Sequence, residues 1–248
     1  LSEVLVQVYG LTKHFQDKKR GVVEAVKGIS FEAHAGEIFG LLGPNGAGKT
    51  TALRMLATIL TPTAGTASIG GADIVSNPDG VRRKLGFLSG DTGLYARLTA
   101  CEMVEYFAML YDIDAQAAVK RAAELCERLD MGEFWQRRCA KLSTGQRQKV
   151  NIARTVVHNP PALILDEPTA GLDVLASRNI VQFIRSAQTD GKCVILSTHD
   201  MGEAERLCDR VGIIHNGIIA AVGTKAELFA RFNADNLEDV FLRAVGEN

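Results

Sequence analysis

The sequence predicts an α/β fold on a mostly parallel sheet, and three observations point that way. EIFGLLG (37–43), KLGFL (84–88), ALILD (162–166) and CVILST (193–198) are short apolar runs without polar alternation, as in strands buried on both faces. Segments with apolar residues at helical spacing lie between them, the pattern of strands covered by helices. From Thr99 to about Arg138 the chain turns rich in Ala, Glu, Arg, Leu and Met with almost no glycine, which marks a helical insert.

The elements follow in order. VLVQVYGL (4–11) alternates partly and GISFEA (28–33) well, as half-buried strands do, with HFQDKKRG (14–21) a polar excursion between them. TTALRMLATIL (50–60) has helical periodicity, and TASIGGADI (66–74) reads as a small hairpin on a Gly-Gly turn. In the insert, CEMVEYFAMLY (101–111) and AQAAVKRAAELCERL (115–129) are helices, the second with Glu and Arg on its outer face. VNIARTVVHN (150–159) and ASRNIVQFIRSAQ (176–188) are helices alternating with the last two buried strands. VGIIHNGIIAAVG (211–223) is a β-hairpin turning on Asn216-Gly217, and TKAELFARF (224–232) opens a C-terminal helix capped by Thr224. No Pro/Gly/Ser linker divides the chain. One domain is therefore expected: a core with an antiparallel β subdomain in 1–90 and 141–222, a helical subdomain in 91–140, and a helical tail in 223–248.

Composition narrows the function. A net charge of −1, from 28 Lys+Arg against 29 Asp+Glu, speaks against a nucleic-acid partner, which normally leaves a basic excess. No apolar run approaches the roughly 18 residues that span a bilayer. The closest, Val211 to Val222, is broken by His215, Asn216 and Gly217. LSEVLVQVYG lacks the basic start and long apolar core of a signal peptide. Cys101, Cys126, Cys139, Cys193 and Cys208 are odd in number and form no CxxC pair, so reduced thiols are expected in place of zinc or a disulfide framework.

Chemistry concentrates in a few motifs. GPNGAGKT (43–50) fits G-x-x-x-x-G-K-[ST] in full, after a buried strand and before a helix, which predicts a P-loop NTPase core. Gly43, Gly46 and Gly48 let the backbone curl its N–H groups toward phosphate, with Pro44, Asn45, Ala47 and Thr51 completing the loop and helix start. Lys49 is placed to reach the β- and γ-phosphates and Thr50 to hold Mg²⁺. In ALILDEP (162–168) the strand sets Asp166 at its carboxyl end as the Mg²⁺-side carboxylate, and Glu167 is free to polarise an attacking water. In LSTGQRQKV (142–150), Ser143 is a natural N-cap and Gly145 permits close backbone approach.

GPNGAGKT, LSTGQ, LILDEP, AGLD (170–173) and STHD (197–200), in that order, resemble the ATP-binding subunit of an ABC transporter. The resemblance implies a head-to-tail homodimer with two ATP molecules sandwiched between copies. It also implies docking on integral membrane permease subunits at the cytoplasmic face of the membrane. Ser143, Thr144, Gly145 and Gln146 would bind γ-phosphate across the interface, and Asp173 would couple the two sites. His199 matches a switch histidine that contacts γ-phosphate and helps position Glu167. Phe15 matches the aromatic that stacks on adenine, with Tyr9 as the competing aromatic. Thr144 departs from the usual glycine. Gly90 stands where many relatives carry a glutamine near Mg²⁺, and Asp91, or Ser89 through water, is expected to take over part of that contact. LSGDTGLYARLTACE (88–102) resembles the sodium-exporting NatA type, and the resemblance places the permease contact around Tyr95, Leu98, Met103 and Phe107. Two other readings stay open: a soluble ABC ATPase of DNA repair or translation, and an ATP-binding regulator with little hydrolysis.

Overall fold

The structure, a computed structural model, describes residues 3–18, 21–90 and 93–246. In chain order, β1 (Val4–Asp17) and β2 (Gly21–His34) pair as a long antiparallel hairpin, and β3 (Ile38–Leu42) leads into α1 (Lys49–Leu56). Next come β4 (Ala64–Ile69), β5 (Ala72–Asp73), α2 (Pro78–Lys84) and β6 (Leu85–Leu88). The helices α3 (Ala100–Met109) and α4 (Ala115–Arg128) follow. The alternation then resumes through α5 (Thr144–Val156), β7 (Ala162–Asp166), α6 (Val174–Thr189), β8 (Cys193–Thr198) and α7 (Met201–Leu207). A second hairpin, β9 (Arg210–His215) and β10 (Ile218–Thr224), precedes α8 (Lys225–Phe232) and α9 (Leu237–Val245).

Among the described residues the strands form two sheets. The central one runs β10-β9-β3-β8-β7-β6, parallel from β9 to β6, with β10 antiparallel at its edge. The other runs β2-β1-β4-β5 and is antiparallel throughout. The pleat explains why the central strands carry no polar alternation. Ile38 and Leu42, Leu163 and Leu165, Val194 and Leu196 enter one apolar cluster, shared with α3, α5 and α6. Phe39 and Leu41, Ala162 and Ile164, Cys193 and Ile195 enter another, shared with α1 and the antiparallel sheet. Both faces of each strand are therefore buried, and the α/β class follows from the sequence as expected.

The helical segment packs α3 against α4 and α5. Thr99 and Glu102 form a reciprocal capping box on α3, and Asp114 caps α4. Thr224 caps α8 in the same reciprocal way with Glu227, as the sequence predicts.

Two expectations are corrected. The polar excursion 14–21 is strand at both ends: His14, Phe15, Gln16 and Asp17 pair with Glu24, Val23, Val22 and Gly21. Backbone pairing holds this far end of the hairpin, where little side-chain surface is buried and no alternation marks it. The short helices α2 and α7 went unread because seven residues are too few to show a period. Their signals were the caps, Asn77 ahead of Pro78 and Asp200 ahead of Met201. By contrast, α5 begins at Thr144, directly behind Ser143, the N-cap the sequence predicts. No helix among the described residues is long and apolar enough to cross a membrane.

Candidate nucleotide and hydrolysis site

The loop between β3 and α1 requires its glycines for two different reasons. A Cβ on Gly43 would lie 2.1 Å from the Ile214 carbonyl oxygen of β9, so close packing excludes any side chain. Gly46 and Gly48 have φ of +81° and +107°, and a Cβ on Gly48 would also meet the Ala25 carbonyl oxygen at 2.5 Å. The tip of the β9–β10 hairpin braces this loop. The Gly217 N–H donates to the Ala47 carbonyl (3.0 Å), and the Gly217 carbonyl accepts from the Lys27 N–H of β2 (2.8 Å). No side chain caps α1, so its first-turn N–H groups are available to an anion.

Lys49 is only 5% exposed. Its Nζ donates to the carbonyls of Gly43 (2.6 Å) and Pro44 (3.1 Å) and lies 3.8 Å from Glu167 Oε1. Burial draws its pKa below the ordinary lysine value, against the pull of the Glu167 and Asp166 carboxylates.

Asp166 is buried at the end of β7, in register with Ser197 of β8, whose hydroxyl donates to Asp166 Oδ1. The Glu167 N–H donates to the Ser197 carbonyl (3.2 Å) and hydroxyl (3.0 Å), with Glu167 itself at φ +48°. That turn lifts the Glu167 carboxylate out of the strand line, where Oε1 meets His199 Nδ1 at 3.2 Å. Glu167 also lines a cavity of about 150 Å³ together with Ala25, Pro44, Asn45, Gly46, Gly48, Lys49, Thr50 and Thr51. The structure thus brings Lys49, Thr50, Asp166, Glu167 and His199 to the ends of β3, β7 and β8, the carboxyl edge where open α/β sheets bind ligands.

Other predicted residues lie elsewhere. Ser143 caps α5: its hydroxyl accepts from the Gln146 N–H (3.2 Å), and Gln146 Oε1 accepts from the Ser143 N–H (3.0 Å). Thr144 Oγ1 accepts from Arg147 at 3.3 Å. The close approach expected at Gly145 is to α6, since a Cβ there would stand 2.8 Å from Ala176 Cβ. Asp173 caps that helix by accepting from the Ala176 N–H (2.8 Å). None of these residues lines the Lys49 cavity.

Phe15 is 38% exposed, with Lys13 Nζ 5.4 Å from its ring centroid. It pairs with Val23, two residues from Ala25 of the cavity wall. Tyr9 pairs with Thr66, and its hydroxyl donates to Glu32. Gly90 is exposed with open space around it, so packing does not demand glycine there. Asp91 lies outside the described residues.

The sequence reading passed over two positions. Ser197, which holds both acidic residues, lies within STHD without a predicted role; a hydroxyl near the end of an apolar strand is its signal. Gln148, one turn into α5, donates to the Pro168 carbonyl (2.7 Å) just past Glu167. It carries no local signal, because it acts across chain segments.

The fold and this carboxyl-edge loop define a P-loop nucleotide-binding protein of the α/β class. The sequence model of the family described as "ABC transporter" matches residues 26–170, and a shorter one for an AAA domain matches residues 137–205. The chain is 38% identical over 239 residues to the ABC transporter ATP-binding protein NatA of Bacillus subtilis (strain 168), covering 96% of this chain and 97% of that one. It is 36% identical over 250 residues to the daunorubicin/doxorubicin resistance ATP-binding protein DrrA of Streptomyces peucetius, covering 98% of this chain and 73% of that one. Among solved structures it superimposes on an ATP-binding subunit of an ABC transporter with a TM-score of 0.87 at 28% identity, over 97% of this chain and 99% of that one. A dimeric ATP-binding cassette in a post-hydrolysis state with ADP and Pi gives a TM-score of 0.80 at 28% identity, over 89% and 98%. The chain belongs to the ABC transporter family, as an ATP-binding subunit that hydrolyses ATP.

Proposed function

We propose that hydrolysis runs at the cavity shared by the P-loop and Glu167, in a head-to-tail dimer of this chain. The observation that carries the reading is the meeting of Glu167 Oε1 with His199 Nδ1 (3.2 Å) and Lys49 Nζ (3.8 Å) beside the P-loop wall. Glu167 accepts the proton of the attacking water, and His199 holds the Glu167 carboxylate and the water in line. Lys49 leaves its carbonyl partners to neutralise charge developing on the γ-phosphate.

Thr50 and Asp166 supply a hydroxyl and a carboxylate, hard oxygen donors of the kind Mg²⁺ takes alongside phosphates and water. Bound there, Mg²⁺ would supply charge neutralisation between the β- and γ-phosphates. Phe15 stacks on the adenine in this reading. Asp91 stays assigned to part of the metal contact that Gly90 cannot make.

Within one chain the Ser143–Gln146 segment does not line the Lys49 cavity, and in this reading it serves the nucleotide of a second copy, with Asp173 at the same interface. The similar dimeric cassette with ADP and Pi supports that arrangement. Membership of the transporter family supports permease subunits as partners, at the cytoplasmic face of the membrane. Export of a small substrate, Na⁺ in the NatA-type reading, is the proposed output. ATPase assays with Mg²⁺, paired with light scattering of Glu167→Gln in ATP, test the core of this reading. Loss of turnover together with a trapped dimer is the expected result; equal turnover in wild type and variant sinks it.

A further inference from the structure

The Glu167–His199 contact raises a mechanical question. The two side chains are 30% and 52% exposed and extend from separate turns after β7 and β8. A partly exposed contact of this kind is too weak to hold two turns in fixed register. Something behind the pair has to set its spacing.

Glu203 lies behind it. This residue sits in the first turn of α7 and is 8% exposed. Glutamate three residues past an N-cap commonly folds back onto the cap's own N–H. Here its carboxylate goes elsewhere. Oε1 accepts from the Thr169 hydroxyl at 2.5 Å, and Oε2 accepts from the Thr198 hydroxyl at 2.9 Å. Thr169 stands two residues after Glu167, and Thr198 immediately before His199. The Thr198 hydroxyl also accepts from the Asp200 N–H (3.0 Å), so its donor and acceptor capacity are both engaged on either side of His199. Asp200 in turn caps the Glu203 N–H (2.9 Å), fixing the helix start from which the carboxylate projects. A buried carboxylate is costly without partners, and the two hydroxyls satisfy it. The cavity of about 410 Å³ on this side is lined by Glu167, Thr169, Thr198, His199 and Glu203 together.

We propose that Glu203 is a positioning residue for hydrolysis: its carboxylate straps the Glu167 turn to the His199 turn and sets the geometry in which the two side chains meet. The proposal rests on the reading of Glu167 and His199 as the hydrolytic pair. Its effect falls on turnover, because neither threonine lines the P-loop cavity.

The test is steady-state ATPase kinetics of the whole protein, with affinity for a fluorescent ATP analogue and melting temperature measured alongside. Glu203→Ala is expected to lower kcat about 100-fold with analogue affinity unchanged within about twofold. Glu203→Gln, which keeps one acceptor and offers a donor to the second threonine, is expected to recover most of that loss. If Glu203 acts through the pair, Glu203→Ala combined with His199→Ala is no slower than His199→Ala alone. Additive losses, or a fall in affinity and melting temperature that tracks kcat, overturn the proposal. Thr198→Val removes one end of the strap and is expected to cost about tenfold in kcat even where Glu203→Ala does not fold; an unchanged kcat there also overturns it. Normal turnover in His199→Ala would instead unseat the catalytic pair itself, and the strap with it.

Discussion

Two helices in this molecule start at glycine-bearing motifs, and they start differently. α1 follows Gly48 at φ +107° and has no side-chain cap, while α5 carries a reciprocal Ser143–Gln146 capping box. The first start is complete only when a ligand supplies acceptors for its N–H groups. The second is complete within the chain, so it is ordered before any partner arrives. It still has something to give, because a Ser143 hydroxyl that accepts from Gln146 keeps its own proton free to donate. Under the proposed function, the contrast separates a site that binds nucleotide from a surface that recognises nucleotide already bound elsewhere.

The strongest way to break the comparison is Lys49→Ala. If α1 alone takes up the triphosphate, this variant loses about 1000-fold in kcat/KM, read by ATPase assay, while Ser143 stays capped. Next in size is Ser143→Ala, expected to lower dimer turnover about 100-fold while the affinity of the monomer for an ATP analogue holds. A parallel fall in monomer affinity would erase the distinction between the two helix starts.

A control lies in neither motif. His158, downstream of α5, stacks on Tyr111 (ring centroids 3.7 Å apart), and its Nε2 meets the Leu85 carbonyl at 3.2 Å. Burial pushes its pKa down to about 4. The unfolded chain therefore takes up the proton first, so the contribution of His158 is full above about pH 6.5 and is lost as pH falls toward 4. Denaturant titrations at pH 8 and pH 5 should show about 2 kcal/mol less pH sensitivity in His158→Phe than in wild type. The smallest effect expected is Phe15→Ala, about a tenfold rise in the KM for ATP from lost base stacking. An unchanged KM with raised KM in Tyr9→Ala would move the adenine contact to the other aromatic.

The sequence disclosed what depends on neighbouring residues. Apolar runs such as ALILD and CVILST showed their strands because both faces are buried, and the P-loop showed itself because its glycines and lysine must be close along the chain. What stayed hidden depends on contacts across the chain. The identity of Ala176 as the neighbour of Gly145, the Gln148–Pro168 bond and the two threonines on Glu203 join segments that no local period or spacing connects. The far end of the β1–β2 hairpin was missed for a related reason, since backbone pairing alone leaves no mark in side-chain pattern.

The brace formed by Gly217 also bears on the order in which the protein is made. The whole P-loop has been synthesised by Thr51, yet its Ala47 carbonyl finds its partner only after the β9–β10 hairpin has been made. The wall against Gly43 likewise waits for Ile214. The phosphate-binding motif is thus made well before the hairpin that braces it, and the loop acquires its final support only once that later segment folds.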